Sequence, residues 1–233
     1  MFKKVMVLIG IVLLPSVALW GNTVEIQPGP DIGQDTTAIQ YYPDENYGDG
    51  VTMWATDDMY SFLRFVQLDG YIGYSIDSAT LVFWPDASSS GTERFYRILE
   101  PWDEDTLTWN NQPDHSGDDE CIVFNSPEFL GKKYASLVVT WMVRKWLSGE
   151  WENYGWCIIG GTGIMQIFTS NCGAPYNYPK LVLEGPNLPP LSVQPTSLGK
   201  IKSLYSPQQV SSITDGRGQF AKHSKREAWA RVE

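Results

Sequence analysis

The stretch IDSATLVFW, residues 76–84, decides the fold. Its apolar residues Ala79, Leu81 and Phe83 occupy every second position, which is the period of a β-strand. Such a strand buries one face between two packed sheets and turns its other face outward. The alternation therefore predicts a two-layered sheet protein, with Trp84 on an outward face.

Similar short stretches recur from Thr23 to Glu184, each rich in β-branched or aromatic residues and bounded by Gly, Pro, Asp or Asn. They are residues 23–27, 35–41, 51–55, 60–68, 76–84, 94–100, 106–110, 122–124, 134–139, 154–159, 164–169 and 180–184. This number of short strands predicts an all-β fold, an antiparallel β-sandwich. One short helix is expected, with Thr140 as its cap and Gly149 as its stop.

The composition agrees with a folded protein rich in strands. The chain has 233 residues, of which 42% are hydrophobic and only 19% are charged. These values exclude a wholly disordered chain and a charge-rich coiled coil. The 10 Trp, 12 Tyr and 9 Phe residues, interspersed with 21 Gly and 15 Pro, favour strands and turns over long helices.

Charge is distributed unevenly along the chain. Residues 23–185 contain 24 acidic and 8 basic residues, whereas residues 186–233 contain 3 acidic and 7 basic residues. A body this acidic repels nucleic acid and anionic lipid. Nucleic acid is therefore not expected as a partner.

The residues at the N-terminus predict an exported protein, and those at the C-terminus predict a tail. Lys3 and Lys4 precede the apolar run 5–14, so residues 1–21 are expected to form a cleaved signal peptide. The alternative is a membrane anchor, but the run is shorter than the roughly 20 residues of a spanning helix. A secreted or cell-surface protein with a domain over 22–185 follows. Residues 186–233 are expected to form a Pro-rich linker, a short amphipathic segment and a mostly disordered basic tail, with cell-envelope docking as the functional alternative.

The three cysteines are an odd number for an exported protein. Cys157 and Cys172 flank a stretch, 160–163, that predicts a hairpin whose register sets them too far apart for a disulfide. Cys121 has no evident partner. Three buried free thiols are expected.

The order and spacing of the motifs in residues 23–184 resemble the DNRLRE domain, also classed as carbohydrate-binding module family 96. The motifs are Asp35-Thr36, Asn46-Tyr47-Gly48, Phe62-Leu63-Arg64-Phe65, residues 76–81, Trp102 with Glu104, residues 106–111 with Pro113, Thr140 with Val143 and Trp146, Asn153-Tyr154-Gly155, Phe168 with Ser170, and residues 179–182. The resemblance implies a jelly-roll type of sandwich on secreted and cell-surface proteins. It also implies a polysaccharide partner, since some members bind alginate-type glycans.

Outward aromatic rings are the candidates for sugar recognition, because flat rings stack on the C–H faces of pyranoses. Alternation in residues 51–55 places Val51, Met53 and Ala55 inward and Trp54 outward, and Trp54 is the first candidate. Trp84 and Tyr96 are expected to share a face, with Arg64 and Arg97 as hydrogen-bond donors. The alternative for all of these rings is packing beneath loops or at sheet edges. The segment 102–109 is expected to be a structural corner.

Calcium is the only cofactor that the sequence suggests. Asp44, Asn46 and Asp49 lie in a Gly-containing loop and offer oxygen ligands, and Asp35 is a further candidate. The twelfth position of an EF-hand pattern starting at Asp44 would be Ala55, so that motif fails. A calcium site formed by these residues is one expectation.

Three functions are compatible with these features. The leading hypothesis is a secreted, non-catalytic carbohydrate-binding module that recognises a polysaccharide through exposed aromatic side chains. The alternative is a structural or adhesive cell-envelope module that makes protein contacts. A polysaccharide-degrading enzyme is disfavoured, because the many carboxylates have no spacing typical of a catalytic pair.

Overall fold

A computed structural model describes residues 21–85, 91–125, 134–161 and 163–190. The expected signal peptide, except Gly21, and the basic tail beyond residue 190 lie outside the described residues. All described residues belong to one unit, residues 1–193. In the part of the chain that the structure describes, no helix is long and apolar enough to cross a membrane.

Eleven strands and one α-helix are found in these ranges. The strands are β1 Asn22–Ile26, β2 Gln34–Ile39, β3 Thr52–Ala55, β4 Met59–Arg64, β5 Ser78–Phe83, β6 Thr92–Arg97, β7 Cys121–Asn125, β8 Ala135–Val138, β9 Trp156–Gly160, β10 Met165–Phe168 and β11 Lys180–Gly185. The helix is α1 Thr140–Leu147, and four short 3-10 helices occupy Val66–Tyr71, Trp109–Asn111, Asp118–Glu120 and Pro175–Asn177.

The strands form two antiparallel sheets and a short ribbon. The front sheet has the order β1-β11-β5-β8, and the back sheet has the order β2-β4-β9-β6-β7. The ribbon pairs β3 with β10, and the Pro85–Ile167 bridge attaches it to the end of β5. The expected antiparallel sandwich is confirmed.

The main hydrophobic core lies between the sheets. Ala79, Leu81 and Phe83 of the decisive strand are fully buried in it, as their alternation predicts. Met53 and Met165 of the ribbon belong to the same cluster. The inner faces of the ribbon and of the front sheet therefore contribute to the same core. Their opposite faces are both directed outward.

A second apolar cluster covers the opposite, outer face of the back sheet. It joins Ala38, Phe62 and Tyr96 of that sheet to Leu107 and to Trp102. The last two belong to residues 99–120, which we call the covering loop. The outer face of the back sheet is thus closed by its own chain.

Helix α1 docks on the front sheet at its first residue. Thr140 Oγ1 accepts a hydrogen bond from Ala79 N at 2.9 Å and donates one to Ala79 O at 3.3 Å. The helix ends before Gly149, whose φ of +72° is in the left-handed region that favours glycine. The predicted stop of the helix is confirmed, but Thr140 is its first residue and not its cap, which is Val139.

Three expectations were wrong. Residues 106–110 form no strand, since Trp109–Asn111 is a 3-10 helix held by a capping box from Thr108 and Asn111. Strands β9 and β10 form no hairpin, because β9 pairs with β4 and β6. Val51 was expected to point into the core, but its side chain is exposed.

All three cysteines are free, as expected, but only Cys157 is fully buried. Cys121 and Cys172 are half-buried. Cys157 is enclosed on both sides of β9, which raises the pKa of its thiol through loss of solvation.

Candidate functional site

Trp54 lies on the outward face of the ribbon. Its neighbours Met53 and Ala55 are buried in the core, so the alternation turns Thr52 and Trp54 away from it. The Trp54 amide donates a hydrogen bond to Thr37 Oγ1 at 3.0 Å, which fixes this edge of the ribbon to the back sheet. The indole is therefore presented from a strand held on both sides.

The register aligns further aromatic residues beside it. Phe168 is the partner of Thr52 in the ribbon, and its amide donates to Trp84 O at 3.2 Å. Residues that face each other across antiparallel strands point to the same side of a sheet. Phe168 and Trp84 are both half-buried and therefore share the outward face with Trp54.

Tyr134 extends this surface onto a fourth strand. Phe83 pairs with Ala135, so Trp84 and Tyr134 are the next residues in register. Their ring centroids are 6.3 Å apart at an interplanar angle of 53°. Tyr134 is 55% exposed. We call Trp54, Phe168, Trp84 and Tyr134 the aromatic row.

Polar groups lie beside the rings. Gln166, the register partner of Trp54, donates a hydrogen bond to Thr52 Oγ1 at 3.0 Å. Farther along the front sheet, Lys180 Nζ lies 3.0 Å from the Glu25 carboxylate. The surface thus combines apolar ring faces with amide and hydroxyl groups, which is the composition expected where a sugar stacks and hydrogen-bonds.

The structure does not bring the other candidate residues to this surface. Tyr96 belongs to the back sheet, is 8% exposed and donates a hydrogen bond to Asp118, so it does not share a face with Trp84. Its expected pairing with Trp84 was wrong because β5 and β6 lie in different sheets.

Arg64 and Arg97 are also on the back sheet. The Arg64 guanidinium pairs with Asp69, and that of Arg97 pairs with Glu120 and stacks 4.1 Å above the Trp151 ring. Both guanidinium groups are engaged in packing their own sheet.

The calcium candidates do not converge either. Asp44 accepts a hydrogen bond from Asn110, and Asn46 Nδ2 donates to the carbonyls of Glu104 and Leu107. Asp49 is exposed, and Asp35 is buried. Within residues 21–85, 91–125, 134–161 and 163–190, no group of three or more His, Cys, Asp or Glu side chains could hold a metal ion.

Buried Asp35 of the back sheet and half-buried Glu104 of the covering loop form an acidic pair. Loss of solvation raises the pKa of Asp35 to about 6, against the hydrogen bonds from Ser170. Loss of solvation and, next, the charge of Asp35 raise the pKa of Glu104 to about 8. Because Asp35 is only 1% exposed, its carboxyl group is closed to a polymer.

A family model matches residues 31–185 of the sequence. That model describes carbohydrate-binding module family 96 and covers residues 31–185, which is more than half of the chain. The chain belongs to carbohydrate-binding module family 96. No curated protein sequence matches it closely enough to be reported as a relative. The matched range contains every residue of the aromatic row.

Sequence reasoning missed two members of the row. Phe168 follows the buried residues Met165 and Ile167 in alternation, so its outward direction was available from the sequence. Tyr134 was only the first residue of an expected strand. The order of the strands sets Phe168 beside Trp84. This order could not be obtained from the sequence of the family 96 module.

Proposed function

We propose that this family 96 module is a secreted or cell-surface, non-catalytic protein that binds a polysaccharide through the outward aromatic rings of the ribbon and of the adjoining edge of the front sheet. The observation that carries the proposal is the alignment of Trp54, Phe168, Trp84 and Tyr134 on one outward face. The back sheet is less suited to binding a polysaccharide, because the covering loop closes its outer face. Trp54 and Trp84 are the residues that we expect to stack on sugar rings.

Affinity electrophoresis of the full chain in gels containing different polysaccharides, with and without calcium, tests this function. Retardation by at least one polysaccharide is expected, and Trp54→Ala and Trp84→Ala should weaken it. Tyr41→Ala is the matched control, since Tyr41 is 73% exposed but follows β2 of the back sheet. Circular dichroism confirms the fold of each variant. Absence of retardation in every gel, or equal loss with Tyr41→Ala, would contradict the proposal.

The carboxylate arrangement supports a binding role over catalysis. A glycosidase needs two carboxyl groups that reach the scissile bond from a cleft. Of the two acidic residues with raised pKa values, Asp35 and Glu104, the first is buried and closed to a polymer. Release of reducing ends or unsaturated products from any bound polysaccharide would overturn the non-catalytic assignment.

A structural or adhesive envelope module is the second candidate. It is favoured by the basic composition of residues 186–233, which contrasts with the acidic body. A basic segment of this kind is attracted to anionic envelope components. Deletion of residues 186–233 is expected to release the protein from the cell envelope under this hypothesis, while glycan retardation would be unchanged.

A further inference from the structure

We infer that the ligand of the aromatic row is a neutral polysaccharide, bound as a single extended chain that runs across the strands. This inference rests on the proposed function and specifies its ligand. It is carried by the charges of the described surface and by the geometry of the row.

The described basic side chains are all engaged. Each of them forms an ion pair or donates to main-chain carbonyls. They are Arg64 with Asp69, Arg94 with Asp118, Arg97 with Glu120, Arg144 with the carbonyls of Ile76 and Asp77, Lys145 with Glu150, and Lys180 with Glu25. Recognition of a uronic acid or sulfated sugar needs cationic donors that are available to the ligand. The described residues offer amides and hydroxyls beside the rings.

The outward face of the front sheet carries carboxylates. Glu25 and Glu184 are exposed on it, the first paired with Lys180 and the second accepting a hydrogen bond from Ser78. The carboxylate of Glu184 and the acidic composition of residues 23–185 repel a polyanion, whereas Glu25 and Lys180 neutralise each other. A neutral chain meets no such barrier.

The direction of the chain follows from the register. Phe168, Trp84 and Tyr134 are register partners on β10, the continuation of β5 and the residue before β8, and Trp54 stands on the next strand, β3, two residues along from Thr52, the partner of Phe168. Adjacent strands are about 4.8 Å apart, so the row spans roughly 14 Å, comparable to about three pyranose units of an extended chain. A glycan that follows the row therefore crosses the strands and contacts successive rings.

The tilt of the rings distinguishes a single chain from a crystalline surface. Trp84 and Tyr134 are inclined by 53° to each other. Ordered chains at a crystal face present one plane, which coplanar rings would match. Inclined rings instead fit a chain whose successive sugars turn relative to one another.

Affinity electrophoresis of the full chain tests the charge of the ligand. One set of gels contains soluble neutral glycans, namely mixed-linkage β-glucan, glucomannan, arabinoxylan and galactomannan, and the other set contains alginate and polygalacturonate. Retardation by a neutral glycan is expected, with little change when salt is raised. Tyr134→Ala and Phe168→Ala should each weaken it about tenfold, which corresponds to about 1.4 kcal/mol. Tyr134 is exposed, so its variant keeps the fold.

Lys132 and Lys133 precede Tyr134 in the sequence and lie outside the described residues. The double variant Lys132→Ala/Lys133→Ala is therefore the matched control for charge, and it should bind as the wild type does. Selective retardation by the acidic glycans, lost in high salt or in this double variant, overturns the inference while the proposed function stands. Neutral binding unaffected by Tyr134→Ala and Phe168→Ala overturns the assigned surface. Failure to bind either set overturns the proposed function itself.

Oligosaccharides of the neutral glycan that binds test the orientation. Affinity measured by calorimetry should rise with each added sugar up to about three or four units and then level off, because the row is then filled. A monosaccharide that binds as tightly as the hexasaccharide would indicate a pocket for a chain end and would overturn the extended pose.

Discussion

The Asp35 carboxylate accepts two hydrogen bonds from Ser170, one from its amide at 2.9 Å and one from its hydroxyl at 3.1 Å. The two residues are 135 positions apart and both are buried. The contact joins the first strand of the back sheet to the turn that follows β10. It therefore fixes the ribbon that presents Trp54.

Removing this contact is expected to destabilise the fold. Asp35→Ala leaves the buried amide and hydroxyl of Ser170 without an acceptor, which costs about 1–3 kcal/mol in the free energy of unfolding. Urea denaturation measures the change. Asp44→Ala is the control, because Asp44 is exposed and its loss should change stability by about 0.5 kcal/mol or less. Equal stability of the Asp35 variant and the control would refute the structural role.

Stability is expected to depend on pH through Asp35 and Glu104. Their folded-state pKa values, about 6 and about 8, lie above the ordinary values of 3.8 and 4.5. The folded protein thus binds protons at Asp35 and Glu104 more tightly than the unfolded chain does. Protonation of these two carboxyl groups therefore stabilises the fold fully near pH 4, and this stabilisation is lost as the pH rises to 8.

Glu104→Gln tests this dependence. The variant remains neutral, so its melting temperature relative to the wild type should rise between pH 5 and pH 8. Glu100→Gln, at an exposed position of the same loop, should show a constant difference. A constant difference for Glu104→Gln as well would show that Glu104 is ionised in both states.

Gly48 is required for a close approach to the covering loop. A β-carbon at this position would lie 2.7 Å from the carbonyl oxygen of Glu104. Gly48→Ala must therefore displace main chain and is expected to destabilise the protein by about 1–3 kcal/mol. Gly29→Ala is the matched control, since its nearest neighbour is 4.0 Å away, and it should be neutral or stabilising by about 0.5 kcal/mol. Thermal unfolding that ranks the two variants in the opposite order would contradict this explanation.

Trp102 is expected to stabilise the fold without contributing to glycan binding. Its indole packs against Phe62 and donates a hydrogen bond to Tyr154 O at 2.8 Å. Trp102→Phe should cost about 1 kcal/mol by losing that bond, and Trp102→Ala about 3 kcal/mol. Retardation in glycan gels should be unchanged at temperatures where the variants are folded. Loss of binding with unchanged stability would instead place the site at the covering loop.

Alternation in the sequence was sufficient to identify the sandwich and the direction of its side chains. Ala79, Leu81 and Phe83 are buried and Trp54 faces outward, because each strand has one face against the core. The same rule failed for Val51, which precedes β3 and is exposed although its carbonyl accepts a hydrogen bond from Thr169 N at 3.2 Å.

Strand order was not available from alternation. A period of two residues gives the face of a side chain within its own sheet, but not which sheet contains the strand. Tyr96 was therefore grouped with Trp84 although they belong to different sheets, and Phe168 was overlooked beside Trp84. Contacts between distant segments were likewise not available from alternation, as at Gly48, where a β-carbon would collide with the carbonyl oxygen of Glu104.

The pairing of β1 with β11 determines how the domain responds to mechanical load. Asn22 and Gly185 face each other at the end of this antiparallel pair. Tension applied to the flanking chain at both residues would open the ladder one hydrogen bond at a time, beginning at this pair, instead of shearing all of them together. A force that stretches the protein between its two flanks would thus peel off its edge strand first, while the four strands that carry the rings remained assembled.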